Sequence, residues 1–199
     1  MTVNRKSRRY LPSVHDHVIG RVVNRESRDA LAVSLSSLPS VTECKASLRL
    51  DAFAAGSVKK AQPQLREGTL VFARVTGVPR ALPVQLACVD EDGKSGVQGF
   101  GPLPLDRAMI VASPSYQVTE WLVTPDCSLF QALAERSHFE VAVGFNHVVW
   151  FQVAVGFESH LVMLRMAVER GDELLAHASN PDALNDALDE VYARRTKKQ

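Results

Sequence analysis

FEVAVGFNHVVWF, residues 139–151, reads as a strand, a tight turn and a second strand. Val141 and Val143 alternate with Glu140 and Ala142, the period of two that a half-buried strand requires. Gly144-Phe145-Asn146-His147 interrupts that pattern, and an apolar run through Trp150 resumes the sheet. An Asn-Gly pair in such a turn sets a type I′ hairpin, and here His147 stands in the glycine position. Histidine enters the left-handed region more readily than most residues, so the hairpin is retained.

Working outward, the period becomes helical. Met109 to Ala112 forms a short strand, and Ser115 is placed to cap a helix running to about Val123. Thr124-Pro125 supplies an N-cap and a first-position proline for a second helix, whose apolar stripe is Leu129, Phe130 and Leu133. Beyond the hairpin, Glu158 to Ala178 places Leu161, Leu164, Val168 and Leu175 close to one face. Asn180-Pro181 opens a last helix carrying Leu184, Leu188 and Val191. Strand, helix, helix, strand, strand, helix is the order of a KH domain, and the final helix is an addition to it.

The first half reads as about five short strands. They lie at Val18 to Val23, around Leu31, Val33 and Leu35, around Ala46, Leu48 and Leu50, at Leu70 to Val75, and at Val84 to Val89. Turn-forming residues separate them at Asn24 to Asp29, Leu38 to Ser40, Gly56 to Lys60 and Thr76 to Arg80. Five short strands in about 80 residues fit a small Greek-key barrel of the OB kind, whose face and loops bind oligonucleotides, and an SH3-like barrel would give the same pattern. The fold class is α+β with two domains, a five-stranded OB barrel followed by a KH-type α/β domain. The expected boundaries are a basic tail over 1–13, the barrel over 14–95, a Gly/Pro connector over 96–107, the KH-type domain with its extra helix over 108–193, and a basic tail over 194–199.

Charge divides the chain more sharply than its net +1 implies. The tails hold eight of the 23 basic residues: Arg5, Lys6, Arg8, Arg9, Arg194, Arg195, Lys197 and Lys198. Val14 to Ser95 holds 11 basic and nine acidic residues, whereas Gly96 to Ala193 holds four basic and 13 acidic. Phosphate is attracted to the first half and repelled by the second. The candidate RNA-binding residues are therefore Arg21, Arg25, Arg28, Lys45, Arg49, Lys59, Lys60, Arg74 and Arg80, taken as a group. Aromatic platforms for base stacking are few in this half, with Phe53 and Phe72 beyond Tyr10, so the expected grip is electrostatic.

These motifs carry a resemblance. The Gly144-x-Asn146-x-x-x-Trp150 segment resembles the G-x-N-G-x-x-W stretch in the KH half of the eukaryotic RNA exosome cap subunits, which join an S-one-type OB barrel to a KH domain. His17-Val18-Ile19-Gly20-Arg21-Val22-Val23 looks like the opening strand of S-one-type domains, where a small residue and a following valine mark the first barrel turn. Gly93 to Pro104 is similar to the glycine-rich connector behind that barrel. Two subfamilies share the plan, the forty type and the four type of ribosomal-RNA-processing protein, and the connector after Cys88-Val89-Asp90 favours the forty type. The resemblance implies a non-catalytic RNA-binding subunit, with RNase-PH-like ring subunits, the other cap subunits of a nine-subunit core and associated nucleases as partners. It also implies ribosomal RNA maturation and 3′-to-5′ RNA decay in nucleus, nucleolus and cytoplasm. Gly144, Asn146 and Trp150 are the family-motif and interface residues that the resemblance implies, Trp150 as a core or an interface anchor.

Other chemistries find little footing. A working KH clamp needs a GXXG loop between its two helices, and Val123-Thr124-Pro125-Asp126 has no glycine there. The connector precedes Pro-Leu-Pro and not a helix, and no GK[ST] occurs, so it makes a poor phosphate cradle. Asp90-Glu91-Asp92 is the densest acidic group and reads as an exposed turn. His15-Asp16-His17 places two imidazoles on one strand face as a metal half-site, yet no second ligand pair accompanies it. Catalytic residues, metal and cofactor are accordingly expected to be none. Cys44, Cys88 and Cys127 lie too far apart for a zinc ribbon and read as buried thiols. No apolar run approaches the roughly 18 residues of a membrane span, and the expectation is a soluble intracellular protein. A free-standing 3′-exoribonuclease and an independent RNA-binding factor in translation or ribosome assembly are the competing functions.

Overall fold

The computed structural model describes residues 10–36, 44–50, 65–89 and 99–196. The chain forms two compact units: one drawn from Arg9–Leu105 together with Gly144–Asn146, the other from Asp106–Val143 and the chain from His147 onward.

The first unit is a closed barrel. Its strands β1 (His17–Arg25), β2 (Ala30–Ser34), β3 (Lys45–Arg49), β4 (Leu70–Gly77) and β5 (Val84–Ala87) follow the order β1-β2-β3-β5-β4, and β4 pairs back onto β1. All pairings are antiparallel except β3 with β5. That Greek-key closure decides for an OB barrel over the SH3-like alternative. Alternation drives it: Leu31 and Val33 on β2 and Ala46 and Leu48 on β3 are buried while their neighbours are not. Each valine or leucine so buried contributes about 1.5–3 kcal/mol. Gly20 is needed on β1 because a Cβ there would collide with the Val33 side chain of β2.

One segment departs from expectation. Gly101–Leu103, assigned above to a connector, forms strand β6 and pairs antiparallel with Leu70–Phe72. Strand β5 occupies that edge of β4 only from Arg74 onward, so β6 satisfies backbone groups that β5 leaves open. Phe100, just before β6, stacks on Phe72 with ring centroids 5.1 Å apart, and His17 meets both rings edge-on.

The second unit runs β7 (Ala108–Ala112), α1 (Tyr116–Val123), α2 (Ser128–Ala134), β8 (Phe139–Gly144), β9 (Val148–Val153) and α3 (His160–Glu169), the order expected of a KH domain. Its sheet has the order β7-β9-β8. Val149, Phe151 and Val153 on one face of β9 pack with Val118, Leu122, Leu129, Leu133, Leu164 and Val168 from the helices. Ser115 caps α1, its Oγ accepting from the Val118 N–H.

Two helix boundaries differ from the reading above. Thr124 does not open α2. It closes α1, its N–H donating to the Trp121 carbonyl and its Oγ1 to Glu120, and Asp126 at φ 57° delays α2 to Ser128. The single helix expected over Glu158 to Ala178 breaks at Arg170 (φ −98°, ψ 14°) into α3, a short α4 (Gly171–Leu174) and a 3-10 turn (Leu175–His177). The last helix, α5 (Pro181–Thr196), begins as expected, with the Asn180 Oδ1 accepting from the N–H groups of Asp182 and Ala183. No described helix is long and apolar enough to cross a membrane.

Candidate nucleic-acid interface

The outward face of β1, β2 and β3 is built in lateral rows. Arg21 lies opposite Ser34 and Ser34 opposite Lys45; Ala32 lies opposite Ser47, and Ala30 opposite Arg49. The middle strand thus presents only alanine and serine between basic flanks. A register shift between Val22 and Asn24 turns the end of β1, where the Arg25 guanidinium donates to the Arg28 carbonyl and closes the β1–β2 loop.

At the Arg49 end of this face lies a cleft of about 670 Å³, lined by Glu26, Ser47, Arg49, Thr76, Leu82, Pro83 and Gln85 among others. Its walls are β3, β5 and the β1–β2 and β4–β5 loops, the elements with which OB barrels hold oligonucleotides. The same two loops carry Arg28 and Arg80. Ser47 Oγ donates to Glu26 Oε2 at 3.0 Å across the cleft wall. Glu26, Ser47, Thr76, Leu82 and Gln85 escaped sequence reasoning, which followed charge alone. The turns read at Asn24 to Asp29 and Thr76 to Arg80 were its only available signal.

The nine basic residues therefore separate. Arg49 lines the cleft, and Arg25, Arg28 and Arg80 lie in or beside its two loops, while Arg21 and Lys45 sit at the other end of the same face. Arg21, Arg28 and Arg80 are exposed and have no carboxylate partner among the described residues. Arg74 is elsewhere, on β4, its Nη1 lying 3.1 Å from His15 Nδ1. Lys59 and Lys60 fall outside the described residues, as do Phe53 and Asp90-Glu91-Asp92. Phe72 is no stacking platform, being only 8 % exposed, and Tyr10 is half-buried with its hydroxyl donating to Asp16 at 2.6 Å. Among the described barrel residues no phenylalanine, tyrosine or tryptophan ring is exposed.

The second unit contrasts in charge. Arg107, Arg136, Arg165 and Arg170 are each ion-paired, with Asp106, Asp189, Glu169 and Glu173 respectively. Phosphate finds no uncompensated cation among them. The α1–α2 loop, where a KH clamp would sit, exposes Thr124, Pro125 and Asp126.

The Gly144–Asn146 tip belongs to the barrel unit. The Phe145 N–H donates to the His17 carbonyl at 2.8 Å. Asn146 Oδ1 accepts from the Ile19 N–H at 3.1 Å, and its Nδ2 donates to the Ile19 and Leu35 carbonyls at 2.8 and 2.9 Å. The tip thus pairs with β1 as a short strand does. A Cβ at Gly144 would lie 2.8 Å from the Ile19 nitrogen, so only glycine admits this approach. The type I′ expectation fails in detail, since His147 has φ 63° but Asn146 is not among the residues with positive φ. One left-handed residue closing a three-residue loop is the bulged form of hairpin turn. His147 is buried, with Nδ1 2.7 Å from the Thr119 hydroxyl, and burial pushes its pKa below 6.5. Trp150 is 3 % exposed and, by alternation, lies on the β9 face opposite Val149 and Phe151.

The metal half-site does not form. His15 lies in a turn at φ 76° and not on a strand, Asp16 accepts from Tyr10 and the Ser13 N–H, and His17 faces Phe72 and Phe100. Among the described residues no group of three or more His, Cys, Asp or Glu is placed to hold a metal ion. Cys88 and Cys127 are buried and Cys44 half-buried; burial raises all three thiols, Cys88 to about 12.

Residues 10–101 match the sequence profile of the S1 domain of exosome complex component RRP40. The chain is 36 % identical over 149 residues to exosome complex component RRP40 of Saccharomyces cerevisiae, covering 74 % of this chain and 58 % of that protein. It is 31 % identical over 152 residues to the Schizosaccharomyces pombe protein of the same name, covering 75 % and 58 %. To human exosome complex component RRP40 it is 25 % identical over 148 residues, covering 74 % and 50 %. The chain thus spans less than two thirds of the length of these relatives. A crystal structure assigned to an exosome-complex RNA-binding protein shares the fold, with TM-score 0.64 over 94 % of this chain and 98 % of that one at 19 % identity.

Proposed function

We propose, for a chain whose barrel belongs to the RRP40 family of S1 domains, the role of a non-catalytic RNA-binding cap subunit of an RNA exosome. In this role it guides RNA toward 3′-to-5′ processing and degradation carried out by another chain. The family match of residues 10–101, joined to relatives named as exosome components, carries this reading. RNase-PH-like ring subunits, the other cap subunits and associated nucleases are its partners, ribosomal RNA maturation is among its tasks, and nucleus, nucleolus and cytoplasm are its compartments.

The barrel surface supports the same role physically. Exposed Arg21, Arg28 and Arg80 attract phosphate, while the sheet between the basic flanks is smooth and lacks an exposed ring among its described residues. Such a surface holds the backbone and ignores the bases, as a guide for many transcripts must. Labelled single-stranded RNA incubated with the purified chain tests this. Weak binding that falls steeply with salt, with RNA length unchanged in Mg²⁺ or phosphate, is expected. Shortening that disappears on substitution of Asp90 and Asp92 would make the chain a nuclease. Tight, salt-resistant, sequence-selective binding would make it an independent RNA-binding factor.

A further inference from the structure

The cleft at the Arg49 end of the barrel face contains a feature that a phosphate-guiding surface does not need: the carboxylate of Glu26. One of its oxygens accepts from Ser47 Oγ, and the other has no partner among the described residues. An ionised carboxylate has only acceptor capacity and repels phosphate, so a nucleic-acid group seated beside it must be a hydrogen-bond donor. Single-stranded RNA offers ribose 2′-hydroxyls and base N–H groups, the latter being exocyclic amines and the ring N–H of guanine and uracil. The base donors sit at different positions on different bases, and with no phenylalanine, tyrosine or tryptophan ring exposed among the described barrel residues no such ring holds a base at a fixed height by stacking. The 2′-hydroxyl is present on every nucleotide and stays at a constant distance from the phosphates that the flanking arginines attract. A volume of about 670 Å³ falls within the range of sites that hold small ligands.

We infer that Glu26, oriented by Ser47, accepts a ribose 2′-hydroxyl in this cleft and makes the barrel selective for RNA over DNA. The inference rests on the RNA-guiding reading and adds a specificity residue to it. Glu26 is the selecting group; Ser47 is a positioning residue that acts through it.

The test compares binding of the full chain to oligouridylate and to oligodeoxyuridylate of equal length at low salt. These probes carry no exocyclic amine and differ only at the 2′ position. The wild type should prefer the ribo-oligomer by about tenfold, the worth of one hydrogen bond to a charged acceptor. Glu26→Ala should bind both oligomers more tightly, because a repelling charge is gone, and lose most of the preference, because no acceptor remains. Ser47→Ala should lose part of it with little change in affinity for the deoxy-oligomer. Equal binding of the two probes by the wild type, or a preference that survives Glu26→Ala, would overturn the assignment. So would a Glu26 effect seen with oligocytidylate and absent with oligouridylate, which would make a base amine the donor. Failure of the chain to bind either probe at low salt would remove the RNA-guiding reading itself, and this inference with it.

Discussion

The side-chain amide of Asn146 pairs with both backbone groups of Ile19, accepting from its N–H at 3.1 Å and donating to its carbonyl at 2.8 Å. An antiparallel neighbour makes the same two bonds to a single residue of a strand. A second donor proton reaches Leu35, so one side chain satisfies three backbone groups in a setting where Asn146 is 1 % exposed. Water cannot replace those bonds.

Removing the amide should therefore cost more than its size suggests. Asn146→Ala leaves the three groups buried and unpaired, and a loss of about 3 kcal/mol or more is expected from penalties of about 1–3 kcal/mol for each orphaned group. Asn146→Asp should be at least as damaging, because it cannot donate to Ile19 or Leu35 and buries a charge. Urea denaturation of the three proteins checks the order.

Gly144→Ala should destabilise by about 1–3 kcal/mol, the cost of overpacking a closely packed site. The obstructing atoms are backbone, Ile19 N and Val18 C, and no side-chain rotation relieves them. Thermal unfolding measures the loss, and Gly68→Ala supplies the contrast, because its Cβ meets nothing and its penalty is limited to the positive φ of 86°.

Stability should depend on pH through His147. Burial holds its folded-state pKa below 6.5, so between that value and 6.5 the unfolded chain binds more protons than the folded one. The contribution is therefore complete above about pH 6.5 and is lost as pH falls through the window to the folded pKa. Replacing His147 by asparagine, which accepts the φ of 63°, should flatten this part of the stability profile. Denaturation midpoints between pH 5 and 8 would show whether it does.

RNA affinity should follow the unpaired arginines and not the paired ones. Each of Arg21→Ala, Arg28→Ala and Arg80→Ala should weaken binding to all sequences alike and lower the salt slope by about one per lost phosphate contact. Arg136→Ala should leave RNA binding unchanged and reduce stability, since its guanidinium bonds Asp189 and Asn185 and lies over the Tyr192 ring. Salt titrations of labelled RNA separate the two behaviours.

Much of this was legible in the chain because strands announce themselves by alternation. Leu31, Val33, Ala46 and Leu48 mark the barrel's interior, and the same alternation puts Arg21, Lys45 and Arg49 outside. Strand β6 was hidden by composition, since glycine and proline between residues 99 and 104 signal a linker and only the open edge of β4 makes them a strand. The break at Arg170 was equally silent, because apolar spacing continues across it. The turn expected at Asn146 differs from the one formed because turn chemistry is local, whereas the partners of Asn146, Ile19 and Leu35, lie 127 and 111 residues away. The cleft depends on two loops meeting, which no single stretch of sequence records.

Purification of the tagged chain from its own cells, with mass spectrometry of whatever co-elutes, tests the central claim most directly. The account predicts RNase-PH-like ring subunits and the other cap subunits in fixed proportion to the chain. Recovery of the chain alone, free of any larger assembly, would contradict it.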